Sequence, residues 1–190
     1  PKTGLRLIGA TGYVGVELIR LLNSHPQVEL TAIGSNSFVD KSITEVYPSV
    51  GITNDMKCIK NEDVIKECDF IFTALPHGVS EEFVLQAVKE GKKVVDLGAD
   101  FRLKDEKLFN KWYNVSFIDK NLHEQAVYGL CEHYKDEIKN AQVIANPGCY
   151  VTSISLPLMP LLKAKLIKKE NIIADSKSGV TGAGRGLTLL

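Results

Sequence analysis

Leu5-Arg6-Leu7-Ile8-Gly9-Ala10-Thr11-Gly12-Tyr13-Val14-Gly15 is an apolar run of strand length, a glycine-punctuated turn and the start of a helical pattern. Val14, Leu18, Leu21 and Leu22 recur at helical spacing, with Glu17 and Arg20 off that face. Strand, tight turn and helix form the context that a phosphate-binding loop needs. Glycines let backbone approach a diphosphate, and the helix N-terminus supplies unpaired amides and the positive end of a dipole. The spacing is GxxGxxG rather than GxGxxG, and a simple strand-to-helix turn is the plainer alternative. The flanking pattern favours a dinucleotide loop made of Gly9, Thr11, Gly12, Tyr13, Val14 and Gly15.

Working outward, the helix should end near Asn23-Ser24-His25-Pro26, because Pro26 disfavours continuation. A second strand over 29–33 ends at Gly34-Ser35-Asn36-Ser37. Chains that bind NAD usually offer a carboxylate here for the ribose hydroxyls. This end is neutral and hydroxyl-rich, with Ser35 and Ser37, so it favours NADP(H), although no Arg stands by to clamp a 2′-phosphate; Lys41 reads as a solvated surface residue. A short strand over 56–59, a small helix over 62–67 and a strong buried strand over 69–75 follow. That strand breaks at Pro76-His77-Gly78, so Leu75 and Pro76 lie at its carboxyl end, and His77 reads as loop structure. A helix over 80–89 stops at Gly91, and a strand over 94–97 comes next. Strands alternating with helices imply a parallel sheet covered on both faces, with ligands at the strands' carboxyl ends.

Gly98-Ala99-Asp100-Phe101-Arg102-Leu103 places an Arg just past a strand end, where it could fork onto a carboxylate or phosphate; a surface ion pair with Asp100 or Asp105 is the plainer alternative. Trp112 and Tyr113 should anchor the charged stretch 104–120 to the core, residues 126–130 look extended, and 132–140 helical. His123 and His133 have no ligand-like neighbour in the sequence. Residues 142–145 make the last strand of the parallel sheet, and Asn146-Pro147-Gly148-Cys149-Tyr150 follows it at the start of an apolar helix. A cysteine there meets unpaired amides and the positive dipole end, which favour the nucleophilic thiolate. The glycine loop lies on the same sheet edge, so thiol and cofactor face one crevice. That pairing suggests attack on an acyl group with hydride transfer at the thioester level. Pro157 and Pro160 should kink or break the helix, at roughly 3 kcal/mol for an interior proline. Residues 172–176 read as a new strand, and 178–186 as a glycine-rich loop whose amides could meet phosphate or nicotinamide.

The totals narrow the classes. At 190 residues with 44% hydrophobic residues, the chain can bury a real core. A formal net charge of zero and the lack of a long basic run argue against nucleic acid and anionic membrane as partners. No run is apolar and long enough to span a bilayer. Four cysteines without CxxC pairing, and four histidines without metal-ligand spacing, fit reduced thiols in the cytoplasm and no metal. The missing initiator Met and the ending Leu187-Thr188-Leu189-Leu190 suggest a fragment.

Five stretches together resemble the N-acetyl-gamma-glutamyl-phosphate reductases of the semialdehyde dehydrogenase superfamily: the glycine loop, Ala74-Leu75-Pro76-His77-Gly78, Asp96 through Leu103, Asn146 through Tyr150, and Ser178 through Arg185. The resemblance implies a Rossmann-type doubly wound domain over 1–147, then the incomplete beginning of an α+β catalytic and substrate domain over 148–190. It implies NADPH-dependent reduction of N-acetyl-glutamyl 5-phosphate, a small acyl phosphate, in arginine biosynthesis, by a homo-oligomer (dimer or tetramer). Cys149 would be the nucleophile and Arg102 would hold the departing phosphate. Ser178 and Gly179 would contact the cofactor near the nicotinamide. Apart from the resemblance, the chemistry of acyl transfer suggests that the Cys149 amide, helped by Asn146, stabilises an oxyanion. Three departures stand out. Cys131 replaces a common Pro, Asn36 replaces a frequent Arg, and the family's general-base histidine falls beyond Leu190, so none of the four histidines is assigned that role. Related aspartate-semialdehyde dehydrogenases, and a dinucleotide-binding module with a dormant cysteine, are the alternatives.

Overall fold

The computed structural model describes residues 2–52, 55–66 and 68–185; Pro1, Thr53, Asn54, Glu67, Gly186 and the terminal 187–190 lie outside the described residues. Seven strands form one sheet: β1 (Thr3–Ile8), β2 (Val28–Gly34), β3 (Cys58–Ile59), β4 (Phe70–Thr73), β5 (Lys93–Asp96), β6 (Val127–Tyr128) and β7 (Val143–Ala145). Their spatial order is β3-β2-β1-β4-β5-β7-β6, and every neighbouring pair is parallel. The chain walks outward from β1 to β3 and then crosses back to β4, beside β1. The reversal puts a crevice at the carboxyl ends of β1 and β4, where doubly wound sheets bind ligands.

Among the described residues the α-helices are α1 (Tyr13–Asn23), α2 (Ile43–Val46), α3 (Ser80–Lys89), α4 (Glu106–Tyr113), α5 (Lys120–Gln125), α6 (Cys131–Asn140) and α7 (Cys149–Lys163). Apolar clusters pack on both faces of the sheet. One gathers Leu5, Leu7, Ile19, Leu30 and Ile33, and the other Ile8, Val64, Ile71, Val84, Val94 and Val143. β1 contributes to both, as a central parallel strand should. Cys58 and Cys68 are buried packing residues, and burial pushes both thiols up from their ordinary range.

Several details differ from the sequence expectation. The buried stripe of α1 is Gly15, Ile19 and Leu22, whereas Val14 and Leu21 are about half exposed. The period is as expected but the face is rotated. Close seating of Gly15 on the glycine loop turns the helix, and Val14 and Leu21, seven apart, swing out together. The small helix expected over 62–67 is a 3-10 turn at Asn61–Asp63. α7 runs through Pro157 and Pro160 as one element and starts at Cys149. Each proline removes a single amide donor, and the flanking turns keep the rest. Residues 172–176 form no strand, since no described strand lies alongside to take their backbone groups. Trp112 is 68% exposed; Phe109, one turn earlier, is the buried anchor of α4, with Tyr113 against its ring.

Candidate active site

The glycine loop begins where β1 ends. Gly9 has φ +80°, and a Cβ there would lie 2.3 Å from the Ala74 carbonyl oxygen. Gly9 and Ala10 amides both donate to the Gly34 carbonyl, tying the loop to the end of β2. A Cβ on Gly15 would lie 2.4 Å from the Gly9 carbonyl oxygen, so these two glycines are required by close backbone packing. Gly12 is different. Its φ of −74° suits any residue, and a Cβ would find only the Gly9 carbonyl oxygen at 3.7 Å. Gly12 is the uncapped N-cap of α1, and no acidic residue occupies the first turn. Backbone packing does not require a glycine at position 12, and the amides of Tyr13, Val14 and Gly15 stand ahead of the first intrahelical bond, Val16 N–H to Gly12 O.

The rest of the expected cofactor set divides by exposure. Thr11 and Ser35 are buried and share a hydrogen bond, Oγ1 to Oγ, of 2.7 Å. Ser37 is exposed in the turn after β2. Tyr13 and Val14 open α1 with half-exposed side chains. Leu75 lies against Gly9, and Pro76 follows it at the mouth of the crevice. Asn36 is committed elsewhere: its Oδ1 accepts from the Asn61 amide at 2.9 Å and its Nδ2 donates to Glu62 at 3.4 Å.

Cys149 is the first residue of α7 and is exposed. Gly148 caps the helix without a side chain, so the amides of Cys149, Tyr150 and Val151 precede the first intrahelical bond, Thr152 N–H to Gly148 O. Arg102 braces this turn. Its Nε donates to the Asn146 carbonyl at 2.8 Å, and its Nη2 donates to the Leu97 carbonyl at 3.0 Å. Nη1 faces Gly148, 3.4 Å from where a Cβ would stand. Arg102 pairs with neither acid weighed for it, because Asp100 accepts the Gly78 amide and Asp105 caps α4. Asn146 holds the turn through its backbone, donating N–H to Asp96 O, while its side-chain amide donates to Pro147 O.

A cleft of ≈ 690 Å³ opens beside Cys149. Tyr150, Ser153 and Pro157 of α7 form one wall, and residues 172–179 with Thr181 and Gly182 form the other. Ser178 and Gly179 therefore share a cleft with the thiol. No group of metal-ligating side chains occurs among the described residues, and no described helix is long and apolar enough to cross a membrane.

The interior also holds buried polar groups that the sequence did not reveal. Asp96 is fully buried and accepts from Thr73 Oγ1 at 2.6 Å; burial pushes its carboxyl up despite that bond. His123 is also buried, stacked on Phe117, with Nε2 3.0 Å from Oε1 of Glu81. The approach does not meet the geometry of a linear hydrogen bond from the ring N–H. His123 thus has an acidic neighbour after all, supplied by α3 and far away in sequence. Burial pushes Glu81 up, but His123 and the amides of Asp119 and Ile118 outweigh it and hold the carboxyl below its usual range.

Asp100, 1% exposed, has its carboxyl pushed up to about 6, first by burial and then by the Asp96 charge. A raised carboxyl means that the folded chain holds the proton more tightly than the unfolded one. That stabilisation is complete below the unfolded pKa near 4 and is lost as pH rises through about 6. Glu81 has the opposite sign and acts only at lower pH. Asp100→Asn keeps an acceptor for the Gly78 amide without the titration. Between pH 5 and 7 the stability of the parent relative to D100N should fall by about 1 kcal/mol, read by urea unfolding at both pH values; an unchanged difference would refute the assignment.

The family profile described as "Semialdehyde dehydrogenase, NAD binding domain" matches residues 5–141, and "Semialdehyde dehydrogenase, dimerisation domain" matches residues 149–189. The N-acetyl-gamma-glutamyl-phosphate reductase of Clostridium beijerinckii is 54% identical over 183 residues, covering 96% of this chain and 53% of that protein. The enzyme of the same name from Pelotomaculum thermopropionicum is 48% identical over 185 residues, again 96% and 53%. The chain thus spans about half the length of the curated relatives it matches. Among solved structures, aspartate semialdehyde dehydrogenase II of Vibrio cholerae, complexed with ASA, superposes with a TM-score of 0.64 at 17% identity, covering 86% of this chain and 43% of that one. Aspartate semialdehyde dehydrogenase of Candida albicans, solved with NADP, gives 0.63 at 21% identity, covering 86% and 48%. The structures share the fold, and the profile covers most of the sequence: the chain belongs to the semialdehyde dehydrogenase family.

Proposed function

We propose that this chain carries the dinucleotide-binding and nucleophile-bearing part of an N-acetyl-gamma-glutamyl-phosphate reductase. The observation that carries the reading is Cys149 at the uncapped start of α7, in one cleft with Ser178 and Gly179 and on the sheet edge that holds the glycine loop. The 46–54% identity to reductases of that name, against 17% and 21% to the two aspartate semialdehyde dehydrogenases, favours the acetylated glutamyl substrate. In this reading residues 1–147 form the dinucleotide domain and 148–190 open the catalytic region. The last sheet strand ends at Ala145, which supports that division. A cytoplasmic homo-oligomer goes with the reading, supported by the dimerisation profile over 149–189.

Each side chain then has a task. The Cys149 sulfur attacks the acyl carbon, the carbon–oxygen bond to phosphate breaks, and the acyl group remains as a thioester. The free amides of α7, with that of Cys149 foremost, stabilise the oxyanion, and Asn146 fixes the turn that aims them. Arg102 holds that turn with two donors and offers Nη1 to the departing phosphate. Gly9, Thr11, Gly12, Tyr13, Val14, Gly15, Ser35, Ser37, Leu75 and Pro76 hold the adenosine and diphosphate end of the dinucleotide. Ser178 and Gly179 orient its nicotinamide toward Cys149. When bound, NADPH supplies the hydride that takes the acyl group to the aldehyde. What supports the fit of such a cofactor is Gly12, the one glycine of the loop at which an added Cβ would meet nothing closer than 3.7 Å.

The test is the reverse reaction, phosphorolytic oxidation of aldehyde with NADP. N-acetylglutamate semialdehyde should turn over at least about 100-fold faster, in kcat/KM, than aspartate semialdehyde, because a site built to pair a polar group rejects an analogue lacking it. Preference for aspartate semialdehyde would reject the reading.

A further inference from the structure

Arg185, far along the chain, returns to the glycine loop. Its Nη1 donates to the Thr11 carbonyl at 3.0 Å, and its guanidinium carbon lies 5.3 Å from the ring centroids of both Phe38 and Tyr47. The Tyr47 hydroxyl donates to the same Thr11 carbonyl at 2.9 Å, and the Thr11 side chain is bonded to Ser35 at the end of β2. The cation is thus fixed where the first loop meets the end of the second strand. In a doubly wound sheet that is the place of the adenosine ribose.

We propose that Arg185 is the residue that selects a phosphorylated dinucleotide, by pairing its guanidinium with the 2′-phosphate of the adenosine ribose; the proposal rests on the dinucleotide reading of the glycine loop. Three observations carry it. Gly34-Ser35-Asn36-Ser37-Phe38 contains no carboxylate to hold a free 2′-hydroxyl or to repel a phosphate. Asn36, in the middle of that stretch, spends its side chain on Asn61 and Glu62. Among the described residues Arg185 has no carboxylate partner, and two aromatic faces and one carbonyl hold its charge. A planar guanidinium, held between two aromatic rings and still positive, matches a phosphate monoester in geometry and charge. Arg185 also follows directly on the loop that carries Ser178 and Gly179, so one segment would touch both ends of the cofactor.

The test measures binding rather than turnover. Dissociation constants for NADPH and NADH are taken by nucleotide fluorescence for the parent, Arg185→Gln and Arg185→Lys. Arg185→Gln should weaken NADPH about 30-fold, the worth of a charge-assisted pair, and NADH less than about 2-fold; Arg185→Lys should fall between. Equal weakening of both nucleotides, or of neither, would overturn the proposal and leave Arg185 as a tether between two loops. A parent that binds neither nucleotide would instead overturn the dinucleotide reading itself, and this proposal with it.

Discussion

Replacing Cys149 with serine should lower turnover by on the order of 10³-fold or more while the NADPH dissociation constant stays within about 2-fold. The split follows from the geometry. Cys149 is exposed at the first position of α7, in the cleft it shares with Ser178 and Gly179, and Asn146, Gly148 and Arg102 hold the turn before it. A serine hydroxyl fits the same space and leaves those backbone bonds intact. It is nonetheless a far weaker nucleophile at neutral pH, and the oxygen ester it would form is a poorer hydride acceptor than a thioester. The glycine loop, across two intervening strands on the sheet edge, is untouched. Turnover is read from absorbance of the reduced nicotinamide and binding from its fluorescence. Activity close to the parent's would show that no thioester forms at this cysteine. A large loss of binding would show that Cys149 shapes the nucleotide site instead.

The parallel sheet was readable because local signals suffice for it. Apolar runs of strand length alternate with amphipathic stretches, and glycines and prolines punctuate them. The junction before Cys149 was readable for the same reason. What escaped depended on contacts made at a distance. The face that α1 buries is set by how closely Gly15 seats on Gly9 and Ala10, which no periodicity encodes. Trp112 looked like an anchor from its size, but α4 turns Phe109 inward instead. The pairing of His123 with Glu81 spans helices far apart in sequence. Arg185 on Thr11 is the extreme case, since the two residues are separated by 174 positions and neither has a local cue for the other. Within the candidate site, the residues that flank a strand end were legible, and the side chain that reaches them from another loop was not.

The glycines of the first loop should separate folding from binding. Gly9→Ala meets two obstacles at once: φ +80°, where a side chain costs about 1–2 kcal/mol, and a carbonyl oxygen 2.3 Å from the new carbon. The blocking atom is backbone of Ala74, at the end of β4, and cannot rotate away. Overpacking adds about 1–3 kcal/mol, so the total is about 2–5 kcal/mol and the melting temperature should drop by roughly 10 °C. Gly12→Ala is the control within the same loop. Its φ and ψ suit alanine and its new methyl group touches nothing closer than 3.7 Å, so only the weaker N-cap preference of alanine counts against it and the variant should melt within about 2 °C of the parent. The same methyl group would, however, stand in the space through which a diphosphate must approach the amides of α1, and NADPH binding should weaken about 10-fold or more. Thermal melts and nucleotide titrations on the two variants check both halves. A Gly12→Ala protein that binds NADPH as the parent does would mean that the diphosphate does not rest on this helix, and with it the loop would lose its claim to the cofactor. A Gly9→Ala protein of parental stability would mean that β1 and β4 do not close on each other as tightly as the 2.3 Å approach requires.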